Sequence, residues 1–323
     1  MRQLDGQDRL CGAEINSITN LVQRGYFDSN NARIVFCHSM TEDGRNVALI
    51  LMEYFSLSGY ETESYEIQDL HDADPGLFRT RGLRNLAKTI SRVILERGTD
   101  YCAINATGGY KAQIAIAVLL GQALGVPVFY KHEKFNEIIA FPPMPVALDL
   151  SLWMRNSGLF FLLDRETVCE KDVAEHWDER LEALVERVEI DGSNYLELSP
   201  IGQIFHETFR GRYWSDRDRV LPPPALEKRK PHLGDHDWGN AREPILAFMN
   251  AVNKIPYVRH CRTHYWNPDL PSPNIFRLKG EEIEGVFSNG TWTVKIKVET
   301  TAVTPGQREA CVADLNNWLT TGK

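Results

Sequence analysis

From Tyr101 the chain passes through a short apolar segment into Asn105-Ala-Thr107-Gly108-Gly109-Tyr110-Lys111, then places Ile114, Ile116, Ala117 and Leu120 at helical spacing. That order predicts a strand, a tight loop and the N-terminus of a helix. Two adjacent glycines let backbone N–H groups approach a ligand closely. The unpaired amides of a first helical turn point outward, and Lys111 adds positive charge. Such a junction either binds a nucleotide or other phosphate or is a tight structural turn in an α/β sheet, and spacing alone does not separate the two.

The surrounding segments alternate in the same way. Arg33–His38 reads as a buried strand ending in the polar loop Ser39–Gly44, where Thr41 caps a helix carrying Val47, Ile50, Leu51, Tyr54 and Phe55. Strands are expected at Tyr60–Ile67, Asp100–Asn105, Pro127–Tyr130 and Glu137–Phe141, with helices from Arg79 to Arg97 and from Tyr110 to Leu124. Alternation of this kind implies a parallel sheet with helices on both faces and ligands at the carboxyl ends of the strands. Ser39–Gly44 and Asn105–Lys111 would then lie side by side. The dinucleotide fingerprint G-x-G-x-x-G is absent.

With 323 residues, 43% hydrophobic and 25% charged, the chain is long enough for two or three domains with cores of their own. No apolar run reaches the roughly 18 residues of a membrane span, and the start, Met-Arg-Gln-Leu-Asp, lacks the apolar segment of a signal peptide, so a soluble cytoplasmic protein is expected. Six cysteines without a C-x-x-C pair read as reduced, buried small residues, and no metal site is expected. The net charge of −8 argues against a surface that coats nucleic acid throughout, but it is uneven. Residues 228–323 hold 13 Lys and Arg against 10 Asp and Glu, whereas residues 1–227 hold 23 against 34.

The expected fold class is therefore multidomain α/β and α+β: a Rossmann-like parallel-sheet domain over 1–150, a small domain over 151–210, a linker over 211–231 and a small α+β domain over 232–323. In the second segment a helix from Val173 to Val188, a hairpin at Asp191-Gly192 and the amphipathic Ile201, Ile204, Phe205 and Phe209 make a winged-helix pattern. Its helix is mixed and acidic, which favours a spacer or dimer module over DNA binding. The linker is marked by three consecutive prolines, Pro222–Pro224, between basic flanks. In the last segment, a strand running into a loop over Ile255–Pro268 and strands at Ile275–Gly280, Gly285–Gly290 and Thr291–Thr300 precede a closing helix, Thr304–Leu319, and Asn289-Gly290 is a hairpin signal. Period-two alternation sends Trp292, Val294, Ile296 and Val298 to one face. It gathers Arg262, His264, Arg277, Lys279, Lys295 and Lys297 on the other, either as an ordinary solvated basic face or as a binding surface.

The run Asn105-Ala-Thr-Gly-Gly-Tyr-Lys111, with its strand, helix and following hairpin over roughly residues 30–150, resembles the CRISPR-associated Rossmann fold (CARF) sensor domain. The resemblance implies a homodimer binding a cyclic oligoadenylate, the four-membered ring, through Ser39, Thr41, Asn105, Thr107, Gly108, Gly109, Tyr110 and Lys111. A two-fold ligand suits a two-fold pair of phosphate-ready loops. Cys37-His-Ser-Met-Thr41 departs from the small-residue run usual in that family. The last 90 or so residues resemble the RelE family of ribosome-dependent mRNA interferases. That implies a metal-free, cofactor-free ribonuclease acting on mRNA at the ribosome, with Arg277, Lys295 and Lys297 on the pentavalent oxyanion and His264 moving protons. Arg262 and Lys279 complete its basic face, and Tyr265 or His236 are substitutes for the proton role. Arg259-x4-His264 also fits the short motif of the all-helical HEPN ribonucleases. A ligand-controlled winged-helix transcription regulator and a ring nuclease using Lys111 and Ser39 are the other readings.

Overall fold

The structure, a computed structural model, describes residues 6, 8–26, 32–132, 134–135, 137–144, 148–173 and 177–322. It divides into two compact units. The first comprises Met1–Leu148, Glu182–Glu186 and Leu198–Thr208, and the second comprises Asp149–Leu181, Arg187–Glu197 and Phe209–Lys323. The mixed α/β character expected from the sequence is present, with parallel ladders in the first unit and antiparallel ones in the second. Among the described residues no helix is long and apolar enough to cross a membrane.

In the first unit, α1 (Ala13–Gln23) buries Ile15 and Ile18 against Phe36, Leu51 and Phe55. Strand β1 (Arg33–Ser39) leads into α2 (Glu42–Ser56), whose first turn is capped by Thr41 accepting from the Gly44 N–H at 3.0 Å. Strand β2 (Glu61–Ile67) then lies parallel to β1 in unbroken register from Arg33↔Glu61 to Ser39↔Ile67, the geometry a helical crossover permits. The helix predicted over Arg79–Arg97 is built in pieces: α3 (Pro75–Leu77) capped by Asp74, a π-helical turn Phe78–Gly82, then α4 (Leu83–Arg97). Strand β3 is only Ile104–Asn105, because a 3-10 turn occupies Thr99–Tyr101. Helix α5 (Lys111–Leu124) packs its Ile116 and Leu120 against Leu83, Leu86 and Ala87 of α4.

The same helix comes down on β4 (Val128–Tyr130) at Gly121, where a Cβ would stand 2.2 Å from Val128 Cγ2. Strand β5 (Ile139–Phe141) completes this ladder as an antiparallel partner of β4. One parallel sheet is predicted; the structure has two separate ladders, β1-β2 and β3-β4-β5. Both residues of β3 pair with β4, Ile104 with Val128 and Asn105 with Phe129, and so short a strand has little left to hydrogen bond to a second neighbour.

The second unit opens with α6 (Leu150–Arg155) and α7 (Ser157–Leu163). Strand β6 (Val168–Cys169) and the short α8 (Glu170–Val173) follow. The helix predicted over Val173–Val188 does not form. Its residues 174–176 lie outside the described residues, Glu179–Leu184 is a 3-10 segment, and β7 (Val185–Ile190) runs straight into the hairpin with β8 (Ser193–Leu198). The cause is the turn. Asp191 and Gly192 both take positive φ, 49° and 75°, which favours a tight hairpin and draws β-branched Val185, Val188 and Ile190 into it. The three strands order as β6-β8-β7.

Helix α9 (Pro200–Val220) contributes 200–208 to the first unit and 209–220 to the second. The predicted linker over 211–231 is thus half helix. Its remaining half is extended and anchored: Ala225 N–H donates to the Pro256 carbonyl, Arg229 N–H to Arg259 and His232 N–H to Cys261. After α10 (Arg242–Lys254) come β9 (Val258–Asn267), β10 (Ile275–Lys279), β11 (Glu282–Ser288) and β12 (Thr293–Thr300), and α11 (Pro305–Thr321) ends the fold. The four strands form an antiparallel sheet in the order β10-β11-β12-β9. One face of it buries Phe276, Ile283, Val294, Ile296 and Val298 against Ile245, Met249, Val252, Val312 and Leu315 of the two helices.

Three polar fixtures hold α11. Asn316 makes two hydrogen bonds of 2.8 Å with the backbone N–H and carbonyl of Phe276, and Glu309 accepts from Arg155 and Ser151, both at 2.7 Å. Asp314, 4% exposed, accepts from Arg217 at 2.5 Å and from the Tyr257 hydroxyl at 2.9 Å. Removing one member of such a buried pair leaves the other uncompensated. Asp314→Ala is expected to lower unfolding free energy by about 3–5 kcal/mol, and Tyr257→Phe by about 1 kcal/mol, as read from urea denaturation followed by tryptophan fluorescence.

Candidate functional site

The polar face of the four-stranded sheet brings the six predicted basic residues together. In register across the strands, Arg277 pairs with Glu284, Glu284 with Lys297 and Lys297 with Arg262; Lys279 pairs with Glu282, and Lys295 with Tyr265. Between Thr263, opposite Ile296, and Tyr265, opposite Lys295, the register slips by one residue, so that His264 is a β-bulge. The bulge places two consecutive side chains on the polar face. His264 Nε2 reaches to 3.0 Å from Glu284 Oε2, while the Tyr265 ring lies 4.8 Å beneath the Lys295 ammonium. Alternation foresees His264 on this face but not Tyr265 beside it.

Two residues that sequence reasoning missed stand at the centre. Glu284 is 2% exposed and accepts from Arg277 Nε at 2.9 Å and Nη2 at 2.7 Å, both on Oε1. Its Oε2 has no hydrogen bond: the His264 nitrogen is near but off line, and Lys279 Nζ is 3.9 Å away. The exposed Glu282 pairs with Lys297 at 2.5 Å. His264, Lys279, Glu282, Glu284 and Lys297 line a cavity of about 240 Å³. Their signal was present in Glu282-Ile283-Glu284, where period two puts both acids on the face opposite Ile283.

Burial works to raise the Glu284 carboxyl. The Arg277 hydrogen bonds and the charges of Arg277, Lys295 and Lys279 outweigh it, and the group is held below the usual carboxylate range. Burial pushes the His264 imidazole down; Glu284 pulls it up, and Lys297, Lys279 and Lys295 add to the depression. An ionised acid thus faces an imidazole that is mostly neutral at neutral pH, the form that accepts a proton. Burial also pushes the Cys37, Cys261 and Cys311 thiols up to about 12, which removes these three as nucleophiles.

The remaining predicted participants stand at the rim of this face or off it. Arg262 is exposed beside Glu299, at 3.8 Å, on the rim of the face. His236 stacks edge-on against Trp238, part of the apolar core on the opposite face, so it does not join His264. Arg259 and His264 both lie on β9, in an antiparallel sheet, where the HEPN motif requires helices.

In the first unit the predicted ligand loops stand at the carboxyl ends of β1 and β3. Ser39 and Thr41 share a 2.9 Å hydrogen bond. Asn105 donates to Ser17 at 2.7 Å, and Thr107 donates to Asn105 at 2.7 Å while accepting the Lys131 N–H at 3.1 Å. Tyr110 donates its hydroxyl to Asp72 at 2.7 Å and its N–H to Gln113. These side chains shape the loops. What they leave for a ligand is the Gly108-Gly109 turn, with Gly109 at φ +91°, and the exposed Lys111 at the start of α5. Beside the turn sits Glu14, whose Oε1 would be 2.5 Å from a Cβ on Gly108.

Residues 9–144 match the family model described as CRISPR-associated protein (Cas_APE2256). That match marks a CRISPR-associated protein. The matched segment holds Ser39, Thr41 and the whole Asn105–Lys111 run and ends before the basic sheet. No curated protein matches this chain. The crystal structure of protein VC1899 from Vibrio cholerae is 11% identical, covering 84% of this chain and 71% of that chain at a TM-score of 0.26, a likeness too loose to carry an argument.

The imidazole environment gives a pH dependence with a definite sign. His264 binds its proton less readily folded than unfolded, so between the ordinary value of 6.5 and its lowered folded value the unfolded chain takes up more protons. Stability is therefore expected to fall as pH drops through that window. In urea melts at pH 7.5, 6.5 and 5.5, His264→Asn should flatten the decline relative to the parent protein.

Proposed function

We propose that this CRISPR-associated protein is a ribonuclease switched by a cyclic oligoadenylate, the four-membered ring. In this reading the ligand binds a homodimer of the first unit, and the basic sheet face of the second unit cleaves mRNA at the ribosome without metal. The observation that carries the proposal is the sheet face itself. A neutral imidazole is set by a bulge beside a cavity rimmed by Lys279 and Lys297, with Lys295 and Arg277 adjoining.

Cleavage by attack of a ribose 2′-OH on the neighbouring phosphorus requires a proton acceptor and fixed cations for the oxyanion, and both are present. The Gly108-Gly109 turn, α5 N-terminus and Lys111 supply the phosphate-binding half. Met40, Val47, Leu49 and Ile50, between 40% and 63% exposed beside the Ser39–Thr41 loop, provide an apolar surface for the dimer. Activation follows if the ligand binds the cleaving state more tightly than the resting one.

Ribosome-bound mRNA incubated with the protein should be cut only when cyclic tetra-adenylate is present. Lys111→Ala is expected to lose ligand binding and cutting together. Lys295→Ala should keep ligand binding but cut about 100-fold more slowly. Linear products from the ligand alone, or operator DNA binding without RNA cutting, would replace this reading with a ring nuclease or a transcription regulator.

A further inference from the structure

The carboxylate of Glu284 has one oxygen occupied and one waiting. Arg277 takes Oε1 with two hydrogen bonds, while Oε2, on a side chain only 2% exposed, has none. A buried carboxylate oxygen is held best by a donor, and the side chains nearest Oε2 are the candidates. Two donors are near: Lys279 at 3.9 Å, on a side chain 51% exposed, and His264 Nε2 at 3.0 Å. The second is there because of the bulge, since a regular β9 would place the residue after Thr263 opposite Lys295, where Tyr265 now lies. At 3.0 Å the pair is within hydrogen-bond distance, and such bonds are commonly misaligned before substrate arrives.

We propose that Glu284 and His264 form a dyad in which Glu284, as positioning residue, accepts the Nε2–H of His264 and so leaves Nδ1 as the base that takes the ribose 2′-OH proton. The inference rests on the ribonuclease reading above for its substrate, though not for the pairing itself. The step balances: Nδ1 gains the proton, O2′ forms a bond to phosphorus and the P–O5′ bond breaks. The departing O5′ takes a proton from a cavity lysine, which the protonated imidazole replenishes through solvent. The products are a 2′,3′-cyclic phosphate and a 5′-hydroxyl. The other charges facing the ring come from three strands, Lys279 on β10, Glu282 on β11 and Lys295 and Lys297 on β12, and the lysines favour the neutral imidazole that the step requires.

The test uses the full chain and the variants Glu284→Gln and Glu284→Asp. Nitrogen-15 histidine spectra recorded without RNA, with His264 assigned by His264→Asn, should show Nε2–H as its major tautomer. Its titration midpoint should move down in Glu284→Gln and return part-way in Glu284→Asp. An Nδ1–H tautomer in the parent protein, or an unmoved midpoint in a folded Glu284→Gln, overturns the dyad. The parent tautomer decides the matter even where a variant fails to fold.

With RNA and cyclic tetra-adenylate, kcat should fall about 100-fold or more in Glu284→Gln while KM stays within about twofold. The acid limb of the pH–rate profile should follow the His264 midpoint. A kcat within about threefold of the parent, or a loss without any shift of that limb, also overturns it. Should the parent protein cut no RNA, the ribonuclease reading fails and the spectra still judge the pairing.

Discussion

The carboxylate of Glu284 is buried in the middle of a sheet face that carries Arg277, Lys279, Lys295, Lys297 and His264, and the arrangement of that face follows from the need to satisfy its charge. Taking an ion out of water costs several kcal/mol, which a single surface lysine could not offset. The two-pronged bond from Arg277 meets most of the demand and fixes the side chain. With the acid fixed, the lysines beside it need not be neutralised one by one. Burial first, and the lysines after it, hold the imidazole neutral, while the acid pulls it the other way. The balance of those opposed effects decides whether His264 can accept a proton, and it is a property of the cluster, not of any one residue.

Much of this was legible in the residue order. The alternation of Val294, Ile296 and Val298 with Lys295 and Lys297 survives unchanged in the structure, because period two is enforced by a core on one side and water on the other. The β1-α2-β2 unit and the strand, turn and helix around Gly108-Gly109 were readable for a similar reason: caps and glycines mark their boundaries. What could not be read was register. Nothing in Thr263-His264-Tyr265 announces a bulge, since a bulge is settled by how two distant strands meet. Glu282 and Glu284 were passed over for a different reason. A search for cations leaves out the anion that orients them, although its position beside Ile283 was plain. The segment after Val173 misled because acidic and apolar residues at near-helical spacing also suit a hairpin once Asp191-Gly192 fixes the turn.

The loops proposed for the ligand in the first unit show how a polar motif divides its labour. Asn105 and Thr107 are joined to each other, to Ser17 and to the Lys131 backbone, so their side chains set the path of the loop. The glycines and Lys111 are left to meet whatever binds. Glu14, lying against Gly108, places a carboxylate where an anion would approach, and a phosphate arriving there has to contend with it. The family match over residues 9–144 includes these loops and ends before the basic sheet, which is left to be understood from its own chemistry.

Both outer strands of the four-stranded sheet have edge groups already engaged, β9 along several residues and β10 at Phe276. Asn316 fills the backbone groups of Phe276 on β10, and the stretch beyond the prolines engages Arg259, Cys261 and Thr263 of β9 through Arg229 and His232. Unblocked, such margins recruit further chains, and the sheet would grow sideways into an aggregate or accept a peptide as a fifth strand. With Phe276 engaged on one edge and β9 engaged along the other, the sheet is less open to strand addition, and its cationic face is the broader surface left to a visitor. On such a face, contacts come from side chains and not from a main-chain ladder.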